Sequence, residues 1–155
     1  MGSIIPKGNR VLLDSVALIY FLETNERYSI IAEEIFGRIE SGDLQGVMAS
    51  LAFAELLVPL YRSGDPQAAT GLANRLINFR NLEVVTLTSE ISMEAARLRA
   101  VYGLRTPDAI HAATAIISCA TGILTNDKQQ KILTREGLSI WLFDTLTNDK
   151  LSNLL

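Results

Sequence analysis

Thr106-Pro107-Asp108-Ala109-Ile110-His111-Ala112-Ala113-Thr114-Ala115-Ile116-Ile117-Ser118-Cys119-Ala120-Thr121-Gly122-Ile123-Leu124-Thr125-Asn126-Asp127 is the stretch whose reading decides the fold. Thr106-Pro107 is a helix start, a capping residue followed by a proline whose fixed φ suits the first turn. The apolar run that follows predicts a helix to Ala120, with Gly122 just beyond it. Ile123 to Thr125 then reads as a short buried strand. One acid, Asp108, opens this helix, and another, Asp127, follows the strand directly.

The same alternation extends in both directions. Towards the N-terminus, Gly103 closes a helix over Glu90 to Tyr102, and Leu82 to Leu87 is a valine-rich strand. Asp65-Pro66 repeats the cap-and-proline start and opens a helix to about Phe79. Ser63-Gly64 ends a helix over Leu51 to Arg62, and Gly46 to Ala49 reads as a strand. Ser15 to Glu23 and Ser29 to Ile39 read as helices broken around Thr24-Asn25-Glu26, after a first strand over Arg10 to Leu13. Towards the C-terminus come a short helix, Lys128 to Arg135, and a fifth strand, Leu138 to Phe143. Strands alternating with helices predict an α/β sandwich around a mostly parallel sheet. The 155 residues fit one domain, 1–155, with its core over about 10–143 and a C-terminal tail over 144–155 that is expected to be loosely ordered. In such sheets ligands bind where the carboxyl ends of the strands meet the following loops.

Composition is that of an ordinary globular domain, 48% hydrophobic and 20% charged. No apolar stretch approaches the roughly 20 residues of a membrane span, and Met1 to Arg10 lacks the apolar run of a signal peptide. A cytoplasmic protein is the expectation. The net charge of −3 argues against broad, non-specific nucleic-acid binding. It does not exclude a nuclease whose clustered carboxylates are offset by a bound cation. Cys119 is the only cysteine and reads as a small core residue. His111 is the only histidine, so a histidine-rich zinc site is excluded, and the two are more than two helical turns apart.

The informative acids are those in apolar company. Glu33, Glu34 and Glu40 read as solvated helix faces. Asp14 interrupts Val11-Leu12-Leu13-Asp14-Ser15-Val16-Ala17-Leu18-Ile19. Glu55 is the only charge in Leu51-Ala52-Phe53-Ala54-Glu55-Leu56-Leu57-Val58, and Asp108 is the only acid of its helix. Carboxylates are rarely buried unless paired or ligated, and a shared divalent cation is the simplest partner for all three. Each has a second reading. Asp14 suits an N-cap, and Asp108 suits the positive end of a helix dipole. Glu55 has no capping role, because a capping-box glutamate after Ser50 would fall at Phe53; its second reading is a surface-facing side chain on a narrow polar face. Asp127 is the fourth candidate at the same sheet edge. Its rival is Asp144, which also ends a strand, whereas Asp149 in a repeated Leu-Thr-Asn-Asp-Lys reads as a solvated acid.

These residues resemble the PIN domain, and in particular VapC-like toxins of toxin–antitoxin modules. The resemblance runs from Val11 to about Phe143. Its motifs are Leu12-Leu13-Asp14-Ser15, Ser50 with Glu55 five residues later, the 106–115 stretch, and Leu124-Thr125-Asn126-Asp127. A phenylalanine common soon after the fourth acid is replaced by Gln129-Gln130. The resemblance implies a Rossmann-like three-layer α/β/α sandwich with a five-stranded sheet. It implies that Asp14, Glu55, Asp108 and Asp127 bind one or two Mg²⁺ or Mn²⁺ ions, with Thr125 and Ser50 in support. It implies endonucleolytic cleavage of RNA, a cognate antitoxin and a homodimer. Arg105, Lys128, Lys131 and Arg135 are candidate phosphate contacts, and His111, one turn after Asp108, reads as a core or supporting residue.

Two other readings stand beside this one. A non-catalytic PIN-like binding module would keep the fold without the chemistry. A phosphoryl-transfer enzyme using Asp14 as nucleophile would normally carry a second aspartate two residues on, where Val16 stands. Apolar side chains on the two early helices, Ile19, Tyr20, Phe21, Ile35 and Phe36, either receive an antitoxin segment or belong to the core.

Overall fold

A computed structural model describes residues 5–23 and 27–154. The predicted break at Thr24-Asn25-Glu26 lies outside the described residues. Five strands, β1 (Arg10–Leu13), β2 (Gln45–Ala49), β3 (Leu82–Val85), β4 (Gly122–Thr125) and β5 (Ser139–Leu142), form one sheet in the order β3-β2-β1-β4-β5. All four pairings are parallel. Helices α1 (Ser15–Leu22) and α2 (Ser29–Glu40) connect β1 to β2, and α3 (Leu51–Leu56), α4 (Val58–Arg62) and α5 (Pro66–Ile77) connect β2 to β3. Helices α6 (Ser89–Tyr102) and α7 (Thr106–Ile117) lead to β4, a 3-10 helix (Lys128–Glu136) leads to β5, and α8 (Phe143–Leu154) ends the chain.

The period of two along the strands sorts side chains into two cores. Val11, Leu13, Met48 and Leu124 face α1, α2, α3, α5 and α8, where Ala17, Phe36, Leu56, Leu76 and Phe143 meet them. Leu12, Val47 and Ile123 face the other way, towards α6, α7 and the 3-10 helix, against Leu98, Ala112 and Leu133. The result is the three-layer α/β/α sandwich expected from the alternation. Strand order reverses at β1, whose neighbours β2 and β4 are reached by connections on opposite faces. The carboxyl ends of β1 and β4 therefore border the topological switch point of the sheet.

Local chemistry explains most boundaries. Asp14, Asp65 and Thr88 cap α1, α5 and α6 through side-chain bonds from the amides of Ala17, Ala68 and Ile91. Gly103 ends α6 in the left-handed conformation, at φ 69°. Gly122 is needed for close approach: a Cβ there would stand 2.4 Å from the Ser139 carbonyl oxygen and 2.4 Å from the Trp141 ring.

Several expectations are corrected. The helix over Leu51 to Arg62 is two helices, because Pro59 lacks the N–H for the Glu55 carbonyl and its ring crowds that oxygen. Strand β3 stops at Val85, α5 at Ile77 and α7 at Ile117. The Lys128 segment winds as a 3-10 helix, which a periodicity reading does not separate from a short α-helix. Phe143 does not end β5 but opens α8, so 144–154 is a helix with Phe143, Leu146 and Thr147 buried rather than a loose tail. Cys119 is exposed, at φ 59° beyond the end of α7, and is not a core residue. Of the early-helix apolar residues, Ile35 and Phe36 are core, and Ile19, Tyr20 and Phe21 are half-buried against it. Among the described residues no helix is long and apolar enough to cross a membrane.

Candidate active site

The four acids come to the carboxyl edge of the sheet, but not equally buried. Asp14 follows β1 and is 5% exposed. Burial pushes its pKa up, partly opposed by hydrogen bonds from the Thr125 hydroxyl and the Ala17 amide and by the nearby His111 ring. Among the described residues no lysine or arginine pairs with it. Its capping reading is realised, the side chain accepting from the Ala17 nitrogen at 3.0 Å, and its charge stays only partly compensated.

Thr125 links Asp14 to Asp127. Its hydroxyl bonds the Asp14 carboxylate, and its Oγ1 accepts from the Asp127 amide at 3.1 Å. Asp127 caps the 3-10 helix by accepting from the Gln129 amide at 2.9 Å. Asp127 and Asp108 line one cleft of about 320 Å³ with Tyr102, Leu104, Arg105 and Gln129. Asp108 sits in the first turn of α7 and accepts from Arg105 Nε at 3.1 Å. Asp144, the rival to Asp127, is committed elsewhere: it accepts from the Tyr28 hydroxyl at 2.6 Å and pairs with Arg27 at 3.4 Å.

Glu55 departs from expectation. Its apolar neighbours predict a buried carboxylate, yet its side chain is 36% exposed. It lies near the end of the short α3, and only its carboxylate turns inward. Oε1 accepts from Ser15 Oγ at 2.5 Å and lies 2.8 Å from His111 Nε2. The His111 contact holds the Glu55 carboxyl below its ordinary range; burial opposes it, and the Ser15 bond adds a smaller lowering effect. Ser15 and His111 are both buried. Sequence reading left Ser15 as a helix start and His111 without a partner. The one available signal was that each is a polar residue on an otherwise apolar helix face within a turn of a candidate acid. Ser50 does not cap α3 by its side chain; its Oγ accepts from the Leu87 amide at 3.1 Å and ties the start of α3 to the loop after β3.

An all-carboxylate donor set suits hard divalent cations such as Mg²⁺ or Mn²⁺. The burial of Asp14, only partly compensated by its hydrogen bonds, fits a cation partner. The side chains as they stand are not closed around one: among the described residues no three acidic, histidine or cysteine groups are drawn together as an ion-holding cluster. Glu55 is turned to Ser15 and His111, and Asp108 to Arg105.

A doubly wound parallel sandwich with acids gathered at its switch point defines a class of α/β proteins in which the strand-end loops hold the ligand. Residues 11–136 match the family model described as "PIN domain", and the chain belongs to that family. Solved structures share the fold. A toxin-antitoxin complex from Klebsiella pneumoniae matches at 20% identity and TM-score 0.58, covering 77% of this chain and 89% of that one. VapBC2 from Rickettsia felis, bound to a DNA fragment from its promoter, matches at 17% identity and TM-score 0.62, covering 85% and 98%. FitAcB from Neisseria gonorrhoeae matches at 17% identity and TM-score 0.64, covering 88% and 99%. At these identities the likeness shows the fold. No curated protein sequence matches the chain.

Proposed function

We propose that this protein is a Mg²⁺- or Mn²⁺-dependent endoribonuclease and the toxin of a cytoplasmic toxin–antitoxin pair, acting as a homodimer. The observation that carries the reading is Asp14: a carboxylate buried at the switch point without a cationic partner, joined through Thr125 to Asp127. PIN family membership and the toxin–antitoxin complexes among its structural relatives support the nuclease and the antitoxin. Asp14, Glu55, Asp108 and Asp127 would hold the ion. When bound, a divalent cation makes a water more acidic and offsets charge on the phosphate oxygens. Water then adds to phosphorus as the P–O bond to the leaving strand breaks, and that oxygen gains a proton. Thr125 keeps Asp14 and Asp127 in register. Arg105, 82% exposed beside the cleft, is free to exchange Asp108 for a substrate phosphate when Asp108 turns to the ion.

The expected outcome is RNA cleavage that EDTA abolishes and Mn²⁺ restores. Asp108→Asn and Asp127→Asn should lower kcat by at least about a hundredfold, on the scale of losing one charge-stabilising group. Asp144→Asn, which touches Tyr28 and Arg27 instead, should still cleave. Cleavage that survives both EDTA and Asp108→Asn would refute the mechanism. The open arrangement of the acids favours a second reading, a PIN-like module that binds RNA without cutting it. Metal-independent RNA binding with no cleavage product would establish that reading instead.

A further inference from the structure

His111 and Ser15 have no part in the four-acid scheme, yet both converge on one atom of it. A carboxylate only accepts hydrogen bonds, so its two partners must donate. Ser15 Oγ–H therefore points at Glu55 Oε1, 2.5 Å away, and His111 Nε2–H points at the same oxygen, 2.8 Å away. The two donors are 3.1 Å apart and close a three-membered cycle with Oε1. Glu55 Oε2 receives neither of them. The donors come from α1 and α7, which both pack on α3, so the clamp joins three helices at one oxygen.

The cost of this arrangement shows at the other end of the ring. With its proton on Nε2, His111 presents Nδ1 to the interior, and among the described residues Nδ1 is buried with no hydrogen-bond partner. The buried residues around it on this helix are Ala109, Ala112, Ala113, Ala115 and Thr114, and the Thr114 hydroxyl is spent on the Ile110 carbonyl at 2.7 Å. A residue chosen only to fill this space would be apolar, because a buried ring nitrogen without a partner is destabilising. What only histidine supplies here is a donor at Nε2 on a ring stiff enough to reach Glu55.

We propose that His111 and Ser15 are positioning residues: together they grip Oε1 of Glu55 and present Oε2 as the single free oxygen for a divalent cation. The inference rests on the nuclease reading above. It assigns the fixed aim of an exposed glutamate on a short helix to two buried donors, in the way outer partners orient ligand carboxylates.

Four proteins test it: wild type, His111→Leu, His111→Gln and Ser15→Ala, each stripped of metal. The readouts are Mn²⁺ affinity by electron paramagnetic resonance, RNA cleavage, and the ring proton position by ¹⁵N NMR. The wild-type ring should carry its proton on Nε2. His111→Leu should weaken Mn²⁺ binding and lower kcat by about tenfold or more, with KM for RNA within about twofold, as for other outer partners of metal ligands. His111→Gln should restore most of both, since the carboxamide nitrogen offers a donor at similar reach. Should His111→Leu fail to fold, Ser15→Ala and His111→Gln carry the test, with Ser15→Ala expected to weaken Mn²⁺ binding. Wild-type Mn²⁺ affinity and kcat in His111→Leu, or in Ser15→Ala if that is the folded variant, would overturn the clamp alone. A ring protonated on Nδ1 only would do the same. A wild-type protein that neither binds Mn²⁺ nor cleaves RNA would instead sink the nuclease reading, and the clamp's role with it.

Discussion

Asp14 carries opposed demands in one side chain. Its burial raises the pKa, chiefly by desolvation, while Thr125, Ala17 and His111 pull it down by less. For an acid whose folded pKa is raised, the favourable contribution to stability is present at pH below the unfolded value and is lost as pH rises through the folded one. Near neutral pH the ionised Asp14 therefore opposes folding unless a cation meets it. Asparagine keeps the cap on α1 and removes the charge. Asp14→Asn should thus raise the metal-free Tm at neutral pH while abolishing cleavage; about 1 kcal/mol is worth roughly 2–4 °C in a domain of this size. The gap should close on acidification, where the wild-type carboxyl takes up its proton. Mn²⁺ at ten times its Kd should stabilise the wild type by about 1.4 kcal/mol and the variant by much less. Differential scanning calorimetry across pH, with and without Mn²⁺, checks each part. A variant less stable than wild type at neutral pH would show that the carboxylate is adequately compensated as it stands. The place of this residue and its cap were legible, because an acid after a strand in Leu12-Leu13-Asp14 is conspicuous in sequence. The Glu55 clamp was not, because Ser15, Glu55 and His111 are 40 and 56 residues apart and only the tertiary fold brings them together.

At the scale of elements, the last helix shows where sequence reading stops. Ile140-Trp141-Leu142-Phe143 is a continuous apolar run, and periodicity alone does not say where strand gives way to helix within it. The structure turns at Phe143, whose ring is fully buried and meets Tyr20 edge-on with centroids 4.9 Å apart. Tyr20 in turn stacks on Tyr28 at 4.4 Å, so one side chain of α8 anchors the α1–α2 layer. Asp144, one residue on, fastens the same place through its bond from the Tyr28 hydroxyl. Phe143→Ala should cost about 3–5 kcal/mol, the usual range for deleting a buried ring. Urea denaturation measures it; a loss below about 1 kcal/mol would mean that α8 is dispensable to the fold. The helices that were legible, such as α5 and α6, have their signals in adjacent residues: Asp65-Pro66 at one start and Gly103 at one end. The break between α3 and α4 falls just before Pro59, within a run whose apolar length reads as one helix.

For the whole molecule, the question is how a chain of net charge −3 and pI near 5.2 would hold a polyanion. Several of its cations are already paired with acids. Arg97 is tied to Glu94 and Glu136, Arg38 to Asp43, Arg10 to Glu83, and Lys150 to Glu34. Beside the cleft, Arg105 is solvent-exposed, and Lys128 and Lys131 stand exposed on the 3-10 helix that supplies Gln129 to its wall. Three such groups set a small electrostatic footprint. Each phosphate neutralised on a single strand contributes about −0.7 to the slope of log K against log salt, so the expected slope is about −2. A cleaving protein would then depend for affinity on the ion held by its acids as much as on its own cations. RNA binding by the inactive Asp108→Asn protein, measured at rising NaCl, should show that shallow slope. Removing Mg²⁺ should weaken wild-type binding to a non-cleavable RNA analogue. Arg105→Ala should flatten the slope by about one phosphate's worth. A slope several times steeper would point to a broader basic surface than these three groups. RNA would then have to meet a face formed in partnership with another chain, and the cleft between Asp108 and Asp127 would no longer be where affinity is decided.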